Sequence, residues 1–216
     1  NTNFNFSLNK NMVTSLSPDV PNILYGNIGS STDLVSITLP GYSVGMIYAI
    51  RTAGADPATG RRIFLDKNGK KVLYEQVPPV GRNQWEYEDG TKAPAIATAS
   101  DAVIYKNTTP KIYGGFTNTF KYKGFDLSIF IQGQNGGSIY SLLGRAISRT
   151  GQGFTDNAIG LYRDRWFSTT QPGAGLISKA YSTFGRIKNS DWLYSSDYLR
   201  IRNITLGYNM SNLVKI

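Results

Sequence analysis

The chain has 216 residues, of which 40% are hydrophobic, 17% charged and 12% aromatic, including 14 Tyr and 10 Phe. This aromatic content excludes an intrinsically disordered chain, because disordered chains lack the bulky side chains that form a core. With no His and no Cys, the sequence also excludes Ser-His-Asp and Cys-His catalytic sites and the usual His/Cys zinc sites.

The net charge is +9, from 23 Lys and Arg against 14 Asp and Glu. A nucleic-acid partner would require a concentrated basic patch, but the basic residues are scattered, with short doublets at Arg61-Arg62 and Lys70-Lys71. The longest uncharged apolar stretch, 34–50, is interrupted at Pro40-Gly41, whereas a membrane-spanning helix needs about 20 apolar residues. We therefore predict no nucleic-acid partner and no transmembrane helix.

The first predicted element is an amphipathic strand at residues 3–13. Apolar side chains alternate there with Asn and Ser, at Phe4, Phe6 and Leu8, with Met12 in the same phase. Alternation with a period of two places successive side chains on opposite faces of a strand. One face of this strand is therefore apolar and the other polar.

A long segment, 14–110, follows the first strand and is rich in Pro, Gly, Asn and Asp. Within it we predict a small hairpin, in which strands at 63–65 and 72–74 flank a turn at 66–69. Residues 135–197 have a similar composition. Two structureless connections of this length are rare in a compact soluble domain, so we expect both segments to be external loops.

Between these segments, residues 111–122 and 125–134 alternate in the same way, and the dipeptide Lys123-Gly124 separates them. This pattern predicts two antiparallel strands joined by a two-residue turn, with Phe130 as the one residue out of phase. A last strand is predicted at 198–208, where the apolar phase changes and indicates a bulge near Asn203.

The predicted fold class is all-β, with antiparallel strands that form part of a transmembrane β-barrel with long extracellular loops. Barrel strands have about 9–11 residues, with short periplasmic turns and long extracellular loops. Four aromatic residues are then expected at the periplasmic strand ends, as a girdle: Phe4, Tyr122, Phe125 and Tyr208. The alternative is a soluble β-sandwich in which these rings belong to an ordinary core.

Four stretches resemble the C-terminal half of SusC/RagA-type TonB-dependent outer-membrane transporters. They lie at 9–16, 56–69, 109–128 and 198–208, and the last reads Tyr-Leu-Arg-Ile-Arg-Asn-Ile-Thr-Leu-Gly-Tyr, similar to that family's "SYLRLRNITLGY" signature. The resemblance covers most of 3–210. The sequence departs from the family pattern at Ser195-Ser196-Asp197, which is a junction between loop and strand.

The resemblance implies a 22-stranded barrel with an N-terminal plug, energised through a TonB box by the TonB–ExbB–ExbD system. It also implies a SusD-like surface lipoprotein as partner, and a location in the outer membrane of a Gram-negative bacterium of the Bacteroidetes type. The plug and TonB box are missing, and the chain stops at residues 214–216 without a terminal aromatic. We therefore expect residues 1–216 to be a C-terminal fragment of the barrel that lacks the final strands.

The candidate ligand contacts are aromatic residues in the two long segments, namely Trp85, Tyr87, Tyr162, Trp166 and Trp192. Flat rings stack on sugars and also anchor protein interfaces. The alternative is that each ring packs the loops against one another.

Arg200 and Arg202 lie on the polar side of the last predicted strand, so the barrel interpretation points them into the lumen. On the lipid face near the midplane, either would cost about 2–4 kcal/mol.

The acidic residues give no catalytic or metal site. The turn at 66–69 lacks the ligand spacing of a calcium-binding EF-hand loop. Glu86, Glu88 and Asp89 lie in a charged, turn-like stretch. No predicted helix or strand fixes their spacing, which the paired carboxylates of a glycosidase require. No cofactor is indicated.

The sequence therefore predicts a transporter rather than an enzyme. The family resemblance implies uptake of a nutrient, an oligosaccharide or a peptide, across the outer membrane. The alternative is a soluble all-β carbohydrate-binding or adhesion domain, whose strands would have no lipid-facing band.

Overall fold

This computed structural model describes residues 1–26, 34–77, 82–147, 160–180 and 187–210. The strands in these ranges are β1 (Thr2–Leu8), β2 (Ile23–Gly26), β3 (Leu34–Thr38), β4 (Met46–Ala49), β5 (Arg51–Ala55), β6 (Arg62–Leu65), β7 (Lys71–Val77), β8 (Arg82–Tyr87), β9 (Val103–Lys106), β10 (Ile112–Tyr122), β11 (Phe125–Asn135), β12 (Ser138–Tyr140), β13 (Leu193–Ser195) and β14 (Tyr198–Tyr208). The helices are α1 (Thr98–Asp101), α2 (Leu142–Ile147) and two 3-10 turns, Gly160–Asp164 and Ser190–Trp192. None of the helices in these ranges has the length and apolar character needed to cross a membrane.

Four long strands form one antiparallel sheet in the order β1-β10-β11-β14. The predicted strands at 111–122, 125–134 and 198–208 are confirmed to within one residue at each end. The first strand is shorter than expected. After the bond from Asn9 N to the Lys111 carbonyl (2.8 Å), the chain leaves β10, and Val13 exchanges backbone hydrogen bonds with Gly41 and Tyr42.

The two-residue turn between β10 and β11 is confirmed. Lys123 and Gly124 have φ angles of 45° and 87°, and two successive positive φ angles are typical of the type I′ turn that matches the twist of a hairpin. The carbonyl of Gly124 also accepts a hydrogen bond from Asn209 N (2.7 Å), which ties the turn to the end of β14.

The predicted bulge is also present, between β11 and β14. Phe130 pairs with Asn203 and Ile131 pairs with Ile201, so Arg202 is the extra residue. The extra residue changes the phase of β14 and thereby keeps apolar residues on the same face along the whole strand.

The prediction that four aromatic residues form one girdle is wrong for one of them, Phe4. Tyr122 pairs with Phe125, and Phe125 pairs with Tyr208, so these three rings share one row. Phe4 instead pairs with Phe116, six residues along β10 from Tyr122. The reason is that no tight turn joins β1 to β10, so local sequence does not set the register of β1.

The long segments are not structureless connections. They contain two further four-stranded sheets, β2-β3-β4-β9 and β5-β6-β7-β8, and the pair β12-β13. The predicted hairpin at 63–74 is confirmed as β6 and β7. The buried hydrophobic cluster of the described chain lies here and contains Ile50, Phe64, Val72, Tyr74, Trp85, Ala93, Ile96 and Ile187. Because several of these strands are buried on both faces, they lack the alternation that marks a half-buried strand.

The two long segments pack as one unit. Ile50 N donates to the Lys188 carbonyl (3.0 Å), and Ser190 N donates to the Ile50 carbonyl (2.9 Å). Lys179 N also donates to the Gly60 carbonyl (2.8 Å). These backbone contacts hold the segment before β14 against β5 and β6.

Candidate functional site

The register of the long sheet places its apolar side chains on one face. Directly paired residues on neighbouring strands point to the same side of a sheet. One such row is Phe4, Phe116, Ile131 and Ile201. Apolar residues from all four strands share this face, and the large ones with exposed side chains are Phe4, Phe6, Leu8, Ile112, Phe120, Tyr122, Phe125, Leu199, Ile201, Ile204, Leu206 and Tyr208.

No other part of the described chain covers this apolar face. The exposed side chains on it keep between 37% (Ile112) and 81% (Leu199) of their surface accessible. Leu127 and Ile129, on the inner strand β11, are half-buried by their neighbours on the sheet. None of these residues belongs to the buried cluster around Phe64. A soluble β-sandwich would bury such a face against a second sheet.

The opposite face of the sheet is mainly polar. One row across it contains Asn5, Gln132 and Arg200. In another row, the hydroxyls of Thr119 and Ser128 are hydrogen-bonded at 3.3 Å. The sheet therefore has a mainly apolar side, on which Thr2 and Asn118 are hydrogen-bonded to each other, and a mainly polar side.

Phe130, the residue out of phase in β11, lies on this polar face. Its ring packs beside Gly115, where an added Cβ would come within 3.0 Å of the ring carbon Cε2. The missing side chain at position 115 thus leaves room for an aromatic ring among polar neighbours.

The two arginines of β14 differ in their placement. Arg200 is opposite Gln132 on the polar face, and its guanidinium carbon is 4.1 Å from the centre of the Tyr198 ring. Arg202 is the extra residue of the bulge, and both arginines are exposed. That they face a lumen stays a prediction.

A wide groove of about 1190 Å³ lies at the end of the sheet where β1 finishes and β10 begins. Leu8 and Ile112 line it, and these two residues also form the last paired row of β1 and β10 on the apolar face. The other walls come from the 41–46 and 105–107 segments and from β13. The groove therefore continues the apolar face beyond the end of the sheet.

The structure places two of the five candidate aromatic rings in the sheet β5-β6-β7-β8. Trp85 is only 7% exposed, and its ring centre is 4.6 Å from that of Tyr74 and 5.7 Å from that of Phe64. Tyr87 is half-buried, with the Lys70 ammonium 3.3 Å from its ring centre. A ligand would reach little of the Trp85 ring.

The other three rings lie in the second segment. Arg165 stacks on Tyr162 at 4.3 Å, and the Trp166 indole nitrogen donates to the Pro57 carbonyl (2.9 Å). Trp192 ends a 3-10 turn and packs against Gly144. The contacts described for the five rings are with other residues, and Trp85 belongs to the buried cluster whereas Trp166 and Trp192 pack on Pro57 and Gly144. Ligand contact at these rings stays a prediction.

Sequence reasoning missed a group of ion pairs around Arg61 and Arg62. The buried Arg62 pairs with Asp191 and donates to the Leu176 carbonyl (3.0 Å). Burial lowers the pKa of Arg62 to about 10, so the side chain is still cationic at neutral pH. Asp191 also accepts a hydrogen bond from the Thr52 hydroxyl (2.6 Å).

The neighbouring Arg61 contacts two carboxylates. Its Nη1 is 2.5 Å from Glu86 Oε2, and its Nε is 3.7 Å from Glu75 Oε2. Hydrogen bonds from Arg61 and Gln84 hold the pKa of Glu86 below its usual value. Lys179 pairs with the other oxygen of Glu75 at 2.6 Å. In the sequence the only signal for this group was the Arg61-Arg62 doublet.

Three curated relatives match the chain, whereas no family model does. TonB-dependent receptor P26 of Formosa agariphila is 31% identical over 61% of the chain, and receptor P3 of that organism is 25% identical over 97%. TonB-dependent receptor SusC of Bacteroides thetaiotaomicron is 29% identical over 54%. The resemblance to SusC-like TonB-dependent receptors is therefore confirmed. The chain spans 13%, 19% and 11% of these three relatives, respectively.

The fold of the chain is also found in solved structures. The RagAB peptide transporter matches 96% of the chain with a TM-score of 0.65 and 22% identity. The RagAB peptide importer in its "closed-closed" state matches 100% with a TM-score of 0.66 and 21% identity. The chain spans 20% and 21% of those two proteins.

Proposed function

We propose that the chain forms part of the barrel wall of a SusC-like TonB-dependent transporter, which imports an oligosaccharide or a peptide across the bacterial outer membrane. The observation that carries the proposal is the uncovered apolar face of the four-stranded sheet, backed by a polar face. Barrel strands in a membrane have this two-sided pattern, with apolar side chains toward lipid. The names of the relatives, which are receptors, transporters and importers, support transport rather than catalysis.

The length of the apolar face also fits a membrane. It extends from the row of Tyr122 and Phe125 to the row of Leu8 and Ile112, which is the full length of β10. At about 3.4 Å per residue this is about 34 Å along the strand, and a tilt of about 45° reduces it to about 24 Å along the membrane normal. The apolar band of an outer-membrane barrel is about 25 Å tall.

The edges of the sheet support the idea that more barrel surrounds it. Among the described residues, β1 and β14 each have a neighbour on one side only. Unpaired backbone N–H and C=O groups in lipid cost several kcal/mol each, so both edges need partner strands. In the proposal, the remainder of a longer protein supplies these strands, the plug and the TonB box, and residues 1–216 are a C-terminal part of the barrel.

The remaining roles follow from this placement. The polar face, with Arg200 and Arg202, would line the lumen or contact the plug. The unit built from 14–110 and 135–197 would lie outside the cell and contact a SusD-like lipoprotein and the nutrient, with the five aromatic rings as candidate contacts. Energy would come from the TonB–ExbB–ExbD system.

The test compares two adjacent positions of β14 in the complete transporter. Leu206→Arg places a charge on the apolar face, and Thr205→Arg places the same charge on the polar face. We expect Leu206→Arg to reduce the amount of folded, heat-modifiable protein in outer-membrane fractions, because an arginine facing lipid costs about 2–4 kcal/mol. Thr205→Arg should assemble normally. Equal amounts of the two folded variants would contradict the proposed facing.

The transport step needs a separate measurement. A strain that lacks the gene should lose growth on the oligosaccharide or the peptide that the transporter imports, and the intact gene should restore it. Growth that does not depend on the gene with any oligosaccharide or peptide supplied would contradict nutrient import. A protein that remains soluble without detergent would favour the carbohydrate-binding or adhesion domain instead.

A further inference from the structure

The groove at the end of β1 and β10 has a strongly basic lining that the proposed transport function does not use. Lys10, Lys106 and Lys111 line it and are exposed. Among the described residues, no carboxylate lies within 4 Å of their ammonium groups. The acidic Asp197 in the lining is engaged by Asn135 Nδ2 (3.0 Å) and Gly136 N (2.7 Å). The groove therefore has a surplus of positive charge.

Three tyrosines, Tyr42, Tyr105 and Tyr194, also line the groove, and all three are partly exposed to solvent. A tyrosine ring has an apolar body and a polar hydroxyl, and such rings are enriched at the level of the headgroups in membranes. The groove lies beyond the last paired row of the apolar face, at the end opposite the row of Tyr122, Phe125 and Tyr208. If the apolar face is in lipid, the groove is at the interface between lipid and water.

A gap in the apolar face leads into this groove. Gly114 and Gly133 are directly paired, so two adjacent positions between Phe6 and Leu199 have no side chain. A shallow cavity of about 490 Å³ lies over Gly133 and Leu199, and its lining shares Ile112 with the lining of the groove. The side chain of Leu199 leans over Gly133, with its Cδ1 3.1 Å from where a Cβ would stand, so an acyl chain would lie in the cavity beside Leu199.

We propose that the groove binds the phosphorylated headgroup of an outer-leaflet membrane lipid, while the acyl chains of that lipid lie on the apolar face beside Gly114 and Gly133. This inference rests on the proposed function, because it requires the apolar face to be in the outer membrane. The three lysines supply the charge that complements a phosphate, and lysine is a common phosphate ligand. Continuity with the apolar face favours a lipid over a soluble anion, since a soluble anion would gain nothing from Leu8 and Ile112.

The test measures lipid binding by the complete transporter in detergent. The probe is bisphosphorylated lipid A, counted as bound lipid per protein by native mass spectrometry over a range of lipid concentrations. In the test variant, Lys10→Ala, Lys106→Ala and Lys111→Ala are combined. In the control variant, three exposed lysines outside the groove are changed, Lys67→Ala, Lys71→Ala and Lys92→Ala, so that both variants lose the same charge.

We expect the test variant to bind lipid A at least about tenfold more weakly than the wild type, because each lysine near a membrane surface contributes measurably to anionic lipid binding. The control variant should bind like the wild type. Dephosphorylated lipid A should bind the wild type as weakly as the phosphorylated lipid binds the test variant. Equal lipid affinity in the two variants would overturn the inference.

Two competitors identify the occupant. Inorganic phosphate or a sulfated oligosaccharide that displaces lipid A from the wild type at a concentration similar to that of the lipid would overturn the inference, because the groove would then recognise a soluble anion. Failure of the inference is distinguishable from failure of the proposed function. If Thr205→Arg assembles normally and Leu206→Arg assembles poorly, the apolar face is in the membrane as proposed. Normal binding of lipid A by the lysine variant would then contradict only the inference about the groove.

Discussion

Arg62 and Asp191 form an ion pair that joins the two long segments of the chain. Arg62 begins β6, in the first segment, and Asp191 lies in the 3-10 turn just before β13 and β14. The Arg62 guanidinium is buried, and Asp191 is held in addition by the Thr52 hydroxyl (2.6 Å). The pair thus connects the buried cluster around Phe64 to the start of the last long strand.

Asp191→Ala is expected to destabilise this unit by about 3–5 kcal/mol, because removing one partner leaves the other charge buried and unpaired. The consequence should be faster cleavage of the 14–110 and 135–197 segments when intact cells are treated with protease. Arg62→Met should cost less, since it removes the more deeply buried charge and leaves Asp191, which is partly exposed and still accepts the hydrogen bond from Thr52.

The control for this experiment is Lys71→Ala, which breaks an exposed ion pair between Lys71 and Glu88 (2.8 Å). Exposed pairs contribute about 0–1 kcal/mol, so protease resistance should hardly change. Similar cleavage rates for Asp191→Ala and Lys71→Ala would show that the buried pair does not hold the segments together.

The ion pair of Glu86 predicts a dependence on pH. Its pKa is lowered from 4.5 in the folded state, mainly by the hydrogen bond from Arg61. A carboxylate with a lowered pKa stabilises the fold above its unfolded pKa, and this contribution is lost as the pH falls below about 4.5. Glu86→Gln should therefore have a smaller loss of protease resistance between pH 6 and pH 3.5 than the wild type.

A matched control is Glu88→Gln, two residues further along the chain, because Glu88 pairs with Lys71 on the exposed surface. Its loss of protease resistance on acidification should match that of the wild type. If Glu86→Gln also matched the wild type, the Arg61–Glu86 contact would not contribute to stability.

The long strands could be predicted from the sequence because their signals are local. Alternation identifies β10, β11 and β14, and the dipeptide Lys123-Gly124 fixes the register between the first two. Phe4 was misplaced because the long segment 14–110 separates β1 from β10 and no turn sets their register.

Of the folded unit outside the sheet, only the hairpin of β6 and β7 could be predicted, from its turn at 66–69 and not from alternation. Phe64 and Tyr74 lie on short strands that are buried on both faces, so no periodicity marks them. A local reading places the Trp85 ring in an external loop, whereas the ring packs on Tyr74. The partner of Arg62 comes from a distant segment, and single-sequence patterns carry no information on such contacts.

The contact between Gly115 and Phe130 predicts a second kind of effect, on the polar face of the sheet. A Cβ at position 115 would come within 3.0 Å of the Phe130 ring and 3.3 Å of Asn5 Oδ1. Gly115→Val should therefore destabilise the sheet by about 1–3 kcal/mol through overpacking. The measurement is the amount of heat-modifiable protein in the outer membrane.

Combining Gly115→Val with Phe130→Ala should restore part of the assembly, because the second change removes the ring that the valine displaces. Thr117→Val, on the same face, serves as the control for a β-branched apolar residue. An assembly defect in the double variant larger than the sum of the two single defects would rule out the steric explanation.

The 216-residue chain, expressed by itself, is expected to associate with other copies. The sheet order leaves one side of β1 and one side of β14 without a partner in the described chain, and unpaired strand edges are templates for pairing with another chain. The uncovered apolar face adds a second cause, since exposed patches of this kind drive association in water. Light scattering in buffer without detergent should therefore report oligomers or aggregates. The contribution of the apolar face can be tested with Ile204→Lys and Leu206→Lys, which place two charges on the apolar face of β14 and leave its backbone edge unchanged. Weaker association of this double variant than of the unmodified chain would show that the apolar face contributes, whereas a monodisperse monomer of the unmodified chain would contradict an open sheet.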